Sequence, residues 1–378
     1  MKPDYRNSIV NLMASISGKF GCASRYAPLR KLPPRQLQDK VMLLVIDGLG
    51  YSFLMRNSNV LKDHCRGSIT SVFPPTTASA ITTFLTGTAP QQHSMTGWHM
   101  LLKEVGCVYT PLPNQLRFGP ALMDGLIDPS GFVTAAPLSL KTPSYHLVPE
   151  EIVNSAFNRG MKGKAKTMMF TDFPDCLKKA GRVLASKKKV LVYAYWPGLD
   201  SIAHEKGIGS RAAQKHFLAL ERALGKFIAT LSGKTLIVTA DHGFIDTAPG
   251  HRFSLRKHPE LERMLILPLC GESRTAYAYV HPSRTKDFER YVRRHVPCVL
   301  KKREAMVKEG YFGIGKPHAK LMDRIGDYAL LMKEDYCIKD TVLCMDENWH
   351  KGNHGGSSSQ EILVPLIIIG AGTPSRRP

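Results

Sequence analysis

Short apolar runs recur along the chain, and polar clusters rich in Asp, His and Gly stand at their ends. Residues 39–46 (DKVMLLVI) are nearly continuous in apolar character, as a strand covered on both faces requires, and DGLG follows at the C-terminal end. Residues 189–195 read the same way and lead into PGLDSIAHEKG, and residues 235–240 deliver DHG. NHGG precedes a last strand at 364–369. Between these runs, the polar and Pro-rich stretch 71–76 opens a small-residue helix from about 77 to 85, closed by Thr86-Gly87. Phe217, Leu218, Leu220, Leu224, Phe227, Ile228 and Leu231 fall at helical spacing, which predicts an amphipathic helix from Ser210 to about Leu231. Strands alternating with helices, with polar clusters just past the strand ends, predict an α/β fold: a mostly parallel central sheet with helices on both faces.

Two stretches fit this alternation poorly. Residues 96–187 are rich in Pro and Gly, and residues 249–349 hold strand-like runs at 275–280 and 328–332. Both are read as insertions that build walls or a cap over the site of one catalytic domain spanning 1–378. There is no internal repeat, and the basic tail 374–378 is expected to be disordered.

Composition adds constraints. Hydrophobic residues make up 43% of the 378 and charged residues 22%, an ordinary balance for a soluble globular chain. No run reaches transmembrane length, and the N-terminus lacks a continuous apolar stretch with a small-residue cleavage site. The eight cysteines are scattered singly with no C-x-x-C pair, so free thiols in a reducing cytoplasm are expected, and a thiolate zinc site is not. The net charge of +21 favours anionic ligands. Lys187-Lys188-Lys189 and Lys301-Lys302-Arg303 lack interleaved aromatics, which argues against nucleic acid as the main ligand and for a small phosphate-bearing substrate. The oligomeric state is not legible.

Candidate chemistry sits where the strands end. Asp47 follows the first run, Asp200 and His204 the second, Asp241 and His242 the third, and His354 precedes the last. Ligands bind outside the carboxyl ends of parallel strands, so these residues can converge on one crevice. Carboxylates and imidazoles without thiolates suit zinc-like ions. Asp200 and His204, four apart on a helix, can chelate together. Asp241 and His242 can do so where the backbone turns sharply, which Gly243 allows. Thr76 and Thr77 stand at the start of a predicted helix, whose unpaired N–H groups favour a phosphate. Each feature alone has a bland reading, as a helix cap, an exposed pair or a polar turn. Ligands at three successive strand ends, with a glycine-flanked histidine, make coincidence a poor account. His93, Trp98, His99, Tyr195 and Trp196 are candidates for the substrate pocket or for core packing, and Trp98 and Tyr195 for stacking on a base.

Taken together, VIDGLG, FPPTTASAITTFLTG with PQQHSMTG, YWPGLDSIAHEKG, TLIVTADHGFID and NHGG resemble the alkaline phosphatase superfamily, and within it the type I phosphodiesterase/nucleotide pyrophosphatase family. The motifs occur in the family's order from about residue 40 to 365. The resemblance implies two zinc ions, one held by Asp47, Asp241 and His242, the other by Asp200, His204 and His354. It implies Thr77 as nucleophile, three residues after Pro74 and nine before Thr86, and a phospho-threonine that water then cleaves. One departure is Ala80, where several family members carry a phosphate-binding asparagine. The oxyanion contact then falls to the Thr77 or Ala78 backbone N–H, and transfer of nucleotide specificity is weakened. Activity is expected to fall below about pH 6 as the histidine ligands protonate. The rival activities on this scaffold are phosphomonoesterase, phosphonate hydrolase and phosphomutase, and more distantly a non-catalytic polyanion-binding protein.

Overall fold

The computed structural model describes residues 1–118, 127–133, 135–340 and 347–370, so the expected disordered tail at 374–378 lies outside the described residues. Two sheets carry most of the strands: β1 (Lys40–Ile46), β2 (Cys65–Thr70), β3 (Ser144–Pro149), β4 (Lys166–Phe170), β5 (Val190–Trp196), β6 (Thr235–Thr239), β7 (Cys270–Gly271), β8 (Thr275–Ala278), β9 (Cys298–Lys302), β10 (Tyr328–Met332) and β11 (Leu363–Ile369). The helices that matter for the site are α1 (Ile9–Lys19), α2 (Thr77–Thr86), α3 (Phe173–Ser186), α4 (Gly198–Lys206) and α5 (Arg211–Ile228).

The central sheet has seven strands in the order β2-β11-β6-β1-β5-β3-β4. β1 lies at its middle, parallel to β5 and β6, and β3 and β4 continue the parallel ladder outward. Every residue from Val41 to Ile46 is buried, which requires cover on both faces and explains why this run does not alternate. α3 packs against α5 and against four strands of the sheet, while α1 and α2 form a second pair. All ten residues of α2 are buried, so its Ala, Ser and Thr side chains give the close approach that larger ones would block. The mostly parallel α/β architecture expected from the sequence is the one observed.

One strand runs against the others. β11 is antiparallel to both β6 and β2. It therefore enters the sheet at the edge where the parallel strands leave it, so a residue that precedes β11 reaches the same crevice as residues that follow β1, β5 and β6.

The stretch 96–187 is only partly the insertion expected. Its β3, β4 and α3 extend the central sheet, and only Met100–Leu102, Cys107–Thr110 and Gln115–Leu116 form a separate small sheet. β4 stands at the edge with mostly exposed or half-buried residues, so it lacks the apolar run that marks β1. The stretch 249–349 does build its own antiparallel sheet, β7-β8-β10-β9, around Phe288, Val292, Tyr328 and Leu330. Neither basic cluster needs a partner outside the chain: Lys301, Lys302 and Arg303 pair with Glu309, Glu289 and Asp327, and Lys187 to Lys189 are solvent-exposed.

A buried ion pair fastens the second sheet to the first. Arg274, just before β8, and Glu361, just before β11, are 1% and 0% exposed and meet at 3.0 and 3.2 Å. The guanidinium also donates to the carbonyls of Glu334 and Tyr336, and the carboxylate accepts from the Gly356 N–H at 2.7 Å and the Ser358 hydroxyl at 2.6 Å. Removing one partner would strand a desolvated charge. Arg274→Met should therefore lower unfolding stability by about 3–5 kcal/mol in a urea titration, and a loss under about 1 kcal/mol would contradict this role.

Candidate metal centre

The strand ends deliver the site one residue at a time. Asp47 ends β1, and its N–H donates to the carbonyl of Trp196 at the end of β5 at 2.9 Å, which ties the two strand ends together. Gly48 then turns with φ +77°, and a Cβ there would meet the Phe244 ring at 2.5 Å. Asp200 and His204 share one face of α4, with His204 Nε2 3.5 Å from Asp200 Oδ1. Asp241 and His242 follow β6. Gly243 is required here for a reason other than the turn expected from the sequence: its φ is ordinary, but a Cβ would stand 2.0 Å from the Gln360 carbonyl oxygen. His354 arrives ahead of the reversed β11.

All seven residues predicted from the sequence converge. His242 Nε2 lies 3.3 Å from Asp47 Oδ1 and 3.5 Å from Asp241 Oδ2. Thr77 Oγ1, at the first residue of α2, is 3.3 Å from His242 Nε2 and 3.5 Å from Asp47 Oδ2. His354 Nε2 is 3.2 Å from His204 Nε2 and 3.9 Å from Asp200 Oδ1, and the His242 and His354 rings stack at 3.7 Å. Within this centre two groups have donor atoms close enough to share an ion, Asp200, His204 and His354, and Asp47, Asp200 and His242; a third group among the described residues, His251, Glu334 and Asp335, lies outside it. Asp200 thus stands in both groups of the centre. Asp241 joins the second through His242, while its Oδ1 accepts the N–H groups of Gly48 and His242 at 3.1 and 3.0 Å.

Electrostatics test whether these residues fit an ion. Burial, and then the charges of Asp200 and Asp241, push the Asp47 carboxyl well above the usual carboxylate range. Asp200 is raised in the same way, by burial and then by Asp241 and Glu272. Burial pushes His204 down to about 3 and depresses His242 and His354 as well. Asp47 Oδ1, Asp200 Oδ1, Asp241 Oδ2 and His354 Nδ1 are buried with no hydrogen-bond partner. Such orphaned atoms are rare in folded proteins and costly. Carboxylate oxygens that repel one another, beside imidazoles whose neutral form burial favours, are a donor set that a divalent cation satisfies. Burial thus favours the neutral form of all three imidazoles, most clearly of His204 and His354, so protons compete for the carboxylates as well as for the histidines.

The flanking candidates divide. Tyr195 donates its hydroxyl to Asp47 Oδ2, so it supports the centre rather than offering a stacking face. His93 is fully buried and bonded to Thr83 Oγ1 at 3.0 Å, and Trp196 is stacked between Phe170 and His216; both are structural. Trp98 and His99 do line the cavity in front of the centre, about 550 Å³ in volume, with Thr77, Asp200, His204 and His354. Its walls include Glu272, Lys339 and His350, which the sequence reading did not single out. The His350 ring stands 4.6 Å from that of His204, and the His-x-x-x-His spacing to His354 was the available signal. Nothing local marks Glu272. Ala80 is fully buried in the apolar core and has no route to a bound phosphate.

The comparisons with known proteins agree with this geometry. The profile of the type I phosphodiesterase/nucleotide pyrophosphatase family matches residues 41–357. No curated protein matches by sequence. Among solved structures, murine ectonucleotide pyrophosphatase/phosphodiesterase 5 is similar, with a TM-score of 0.65 at 17% identity over 86% of this chain and 87% of that one. An inactive form of the murine protein in complex with AMP has a TM-score of 0.66 at the same identity and coverage. Phosphonoacetate hydrolase from Sinorhizobium meliloti 1021, in complex with phosphonoacetate, has a TM-score of 0.64 at 14% identity over 91% and 92% of the two chains.

Metal uptake should displace protons from carboxyls whose affinity for them burial has raised, so zinc affinity should fall as pH falls. Calorimetry in buffers of different ionisation enthalpy reads the protons released, and NMR reads the rings. A metal-free protein whose His204 ring titrates near pH 6 would contradict the assignment.

Proposed function

The chain belongs to the type I phosphodiesterase/nucleotide pyrophosphatase family of phosphoester hydrolases, and from that premise we propose that it cleaves phosphodiesters or nucleotide pyrophosphates through a phospho-threonine on Thr77. One observation carries the assignment of Thr77: a hydroxyl at a helix N-terminus, within 3.5 Å of both Asp47 and His242 in a cluster of orphaned buried carboxylates.

The residues fall into two sets. Asp47, Asp241 and His242, with Thr77, would hold one divalent ion, and Asp200, His204 and His354 a second, with zinc the best match to the donors. Bound there, the ions supply positive charge against the phosphoryl oxygens and lower the pKa of the attacking hydroxyl and water. Thr77 Oγ1 forms a bond to phosphorus in line with the departing ester oxygen, whose bond to phosphorus breaks. Water then attacks the phospho-threonine and restores the hydroxyl. The first N–H groups of α2 have no acceptor within the helix, and Thr76 supplies no side-chain cap, so they are free to hold a phosphoryl oxygen in place of the contact Ala80 cannot make.

Trp98, half-buried on the cavity wall, offers a face for a base, and the AMP complex of the similar murine structure supports a nucleotide-like substrate. A phosphonate hydrolase is the second reading, favoured by Lys339, a cavity-wall cation with no carboxylate ion pair among the described residues, and by the similar phosphonoacetate hydrolase fold. The seven described cysteines are free thiols, which supports a reducing compartment. No helix among the described residues is long and apolar enough to cross a membrane.

Zinc-loaded protein should cleave bis(p-nitrophenyl) phosphate in preference to p-nitrophenyl phosphate and to phosphonoacetate. Thr77→Ala should lose about a thousandfold or more in kcat/KM. Undiminished activity in Thr77→Ala would remove the nucleophile, and preferential turnover of phosphonoacetate would select the second reading.

A further inference from the structure

Glu272, Asp340 and Glu347 are the acidic residues of the cavity lining that neither metal group of the centre uses, and of the three it is Glu272 whose charge acts on Asp200. Glu272 lies in the turn between β7 and β8, and three contacts hold it. Its own N–H donates to the Thr275 carbonyl at 2.8 Å, and its Oε1 accepts the Trp98 N–H at 2.7 Å. Gly355, directly after His354, brings the backbone so close that a Cβ there would stand 2.6 Å from the Glu272 Cβ and Cγ. Among the described residues no lysine or arginine forms an ion pair with it. Its charge acts on Asp200, and it shares the cavity with Thr77 and His354. The second sheet thus holds a carboxyl without a basic partner among the described residues on the wall of the cavity that Thr77 lines; burial pushes it up to about 7, so it is mostly ionised at pH 8.

We propose that Glu272 is a charge filter, selecting monoanionic phosphodiesters over dianionic phosphomonoesters. The inference rests on the phosphoester-hydrolase reading above. A phosphomonoester has a second pKa near 6 and carries close to two charges at pH 8, whereas a diester carries one. The additional charge meets a like charge in a partly enclosed cavity, where repulsion is screened less than in bulk water. Divalent cations close by favour the ionised form of the carboxylate. Neither cavity cation forms an ion pair with it among the described residues: Arg117 is paired with Asp340, and Lys339 keeps its charge while it donates to the Asn348 carbonyl.

Glu272→Gln keeps an acceptor for Trp98 and removes the charge. At pH 8 the ratio of kcat/KM for p-nitrophenyl phosphate to that for bis(p-nitrophenyl) phosphate should rise by about tenfold or more, chiefly through the monoester KM. In the wild type, diethyl phosphate should inhibit at lower concentration than inorganic phosphate, and the variant should narrow or reverse that order. Zinc content of two ions per chain checks that the variant keeps its centre. An unchanged ratio in a two-zinc variant overturns the filter while leaving the hydrolase reading intact. If the variant fails to hold zinc, the wild-type inhibitors decide, and tighter binding of inorganic phosphate overturns the proposal. A two-zinc wild type that cleaves neither ester removes the underlying reading instead.

Discussion

Three carboxylates, Asp47, Asp200 and Asp241, are packed where the middle strands of the sheet end, each with an oxygen that no donor reaches. That arrangement is unfavourable by itself. It removes charge from water without partners, and burial with mutual repulsion pushes the Asp47 and Asp200 carboxyls well above the usual carboxylate range. Such a cluster is tolerable as part of a metal centre, and most of the surrounding architecture can be understood as holding it open for one. Burial favours the neutral form of the three imidazoles, which is the form that ligates a metal.

The sheet converts this local chemistry into a site. Parallel strands β1, β5 and β6 carry their carboxyl ends to one edge, and the reversed β11 brings His354 to the same edge from the opposite direction. The crossing is tight. Gly243 lies against the Gln360 carbonyl, Gly48 against Phe244 and Gly355 against Glu272, so the glycines of DGLG, DHG and NHGG serve close approach as much as turning. The Arg274–Glu361 pair then locks the start of β11 to the second sheet, coupling the metal ligands to the wall opposite them.

That wall lines the cavity in front of the centre. The second sheet contributes Glu272, and Lys339 and His350 line the same cavity, so it presents a carboxyl, an ammonium and an imidazole whose charged form burial disfavours. The strand-end residues and Thr77 come from the central sheet and from α2 and α4, whereas this wall comes from elements that a different insertion would replace.

Much of the site was legible in the sequence because its signals are local. Apolar runs of β1 and β6 read as buried strands, D-x-x-x-H reads as one face of a helix, and the motif offsets single out Thr77. Those features depend on periodicity and on residues a few positions apart. Three things were decided by tertiary structure. The direction of β11 depends on pairing with β6 and β2, which lie far away in the chain. The membership of β3 and β4 in the central sheet was hidden because an edge strand need not be apolar on both faces. The role of Glu272 depends on Trp98 and Gly355 meeting it from two distant segments, and no spacing within a single stretch encodes such a meeting. The sequence by itself thus determined which side chains stand at the strand ends, because those signals are local, while packing between remote segments decided how they meet one another and the cavity wall.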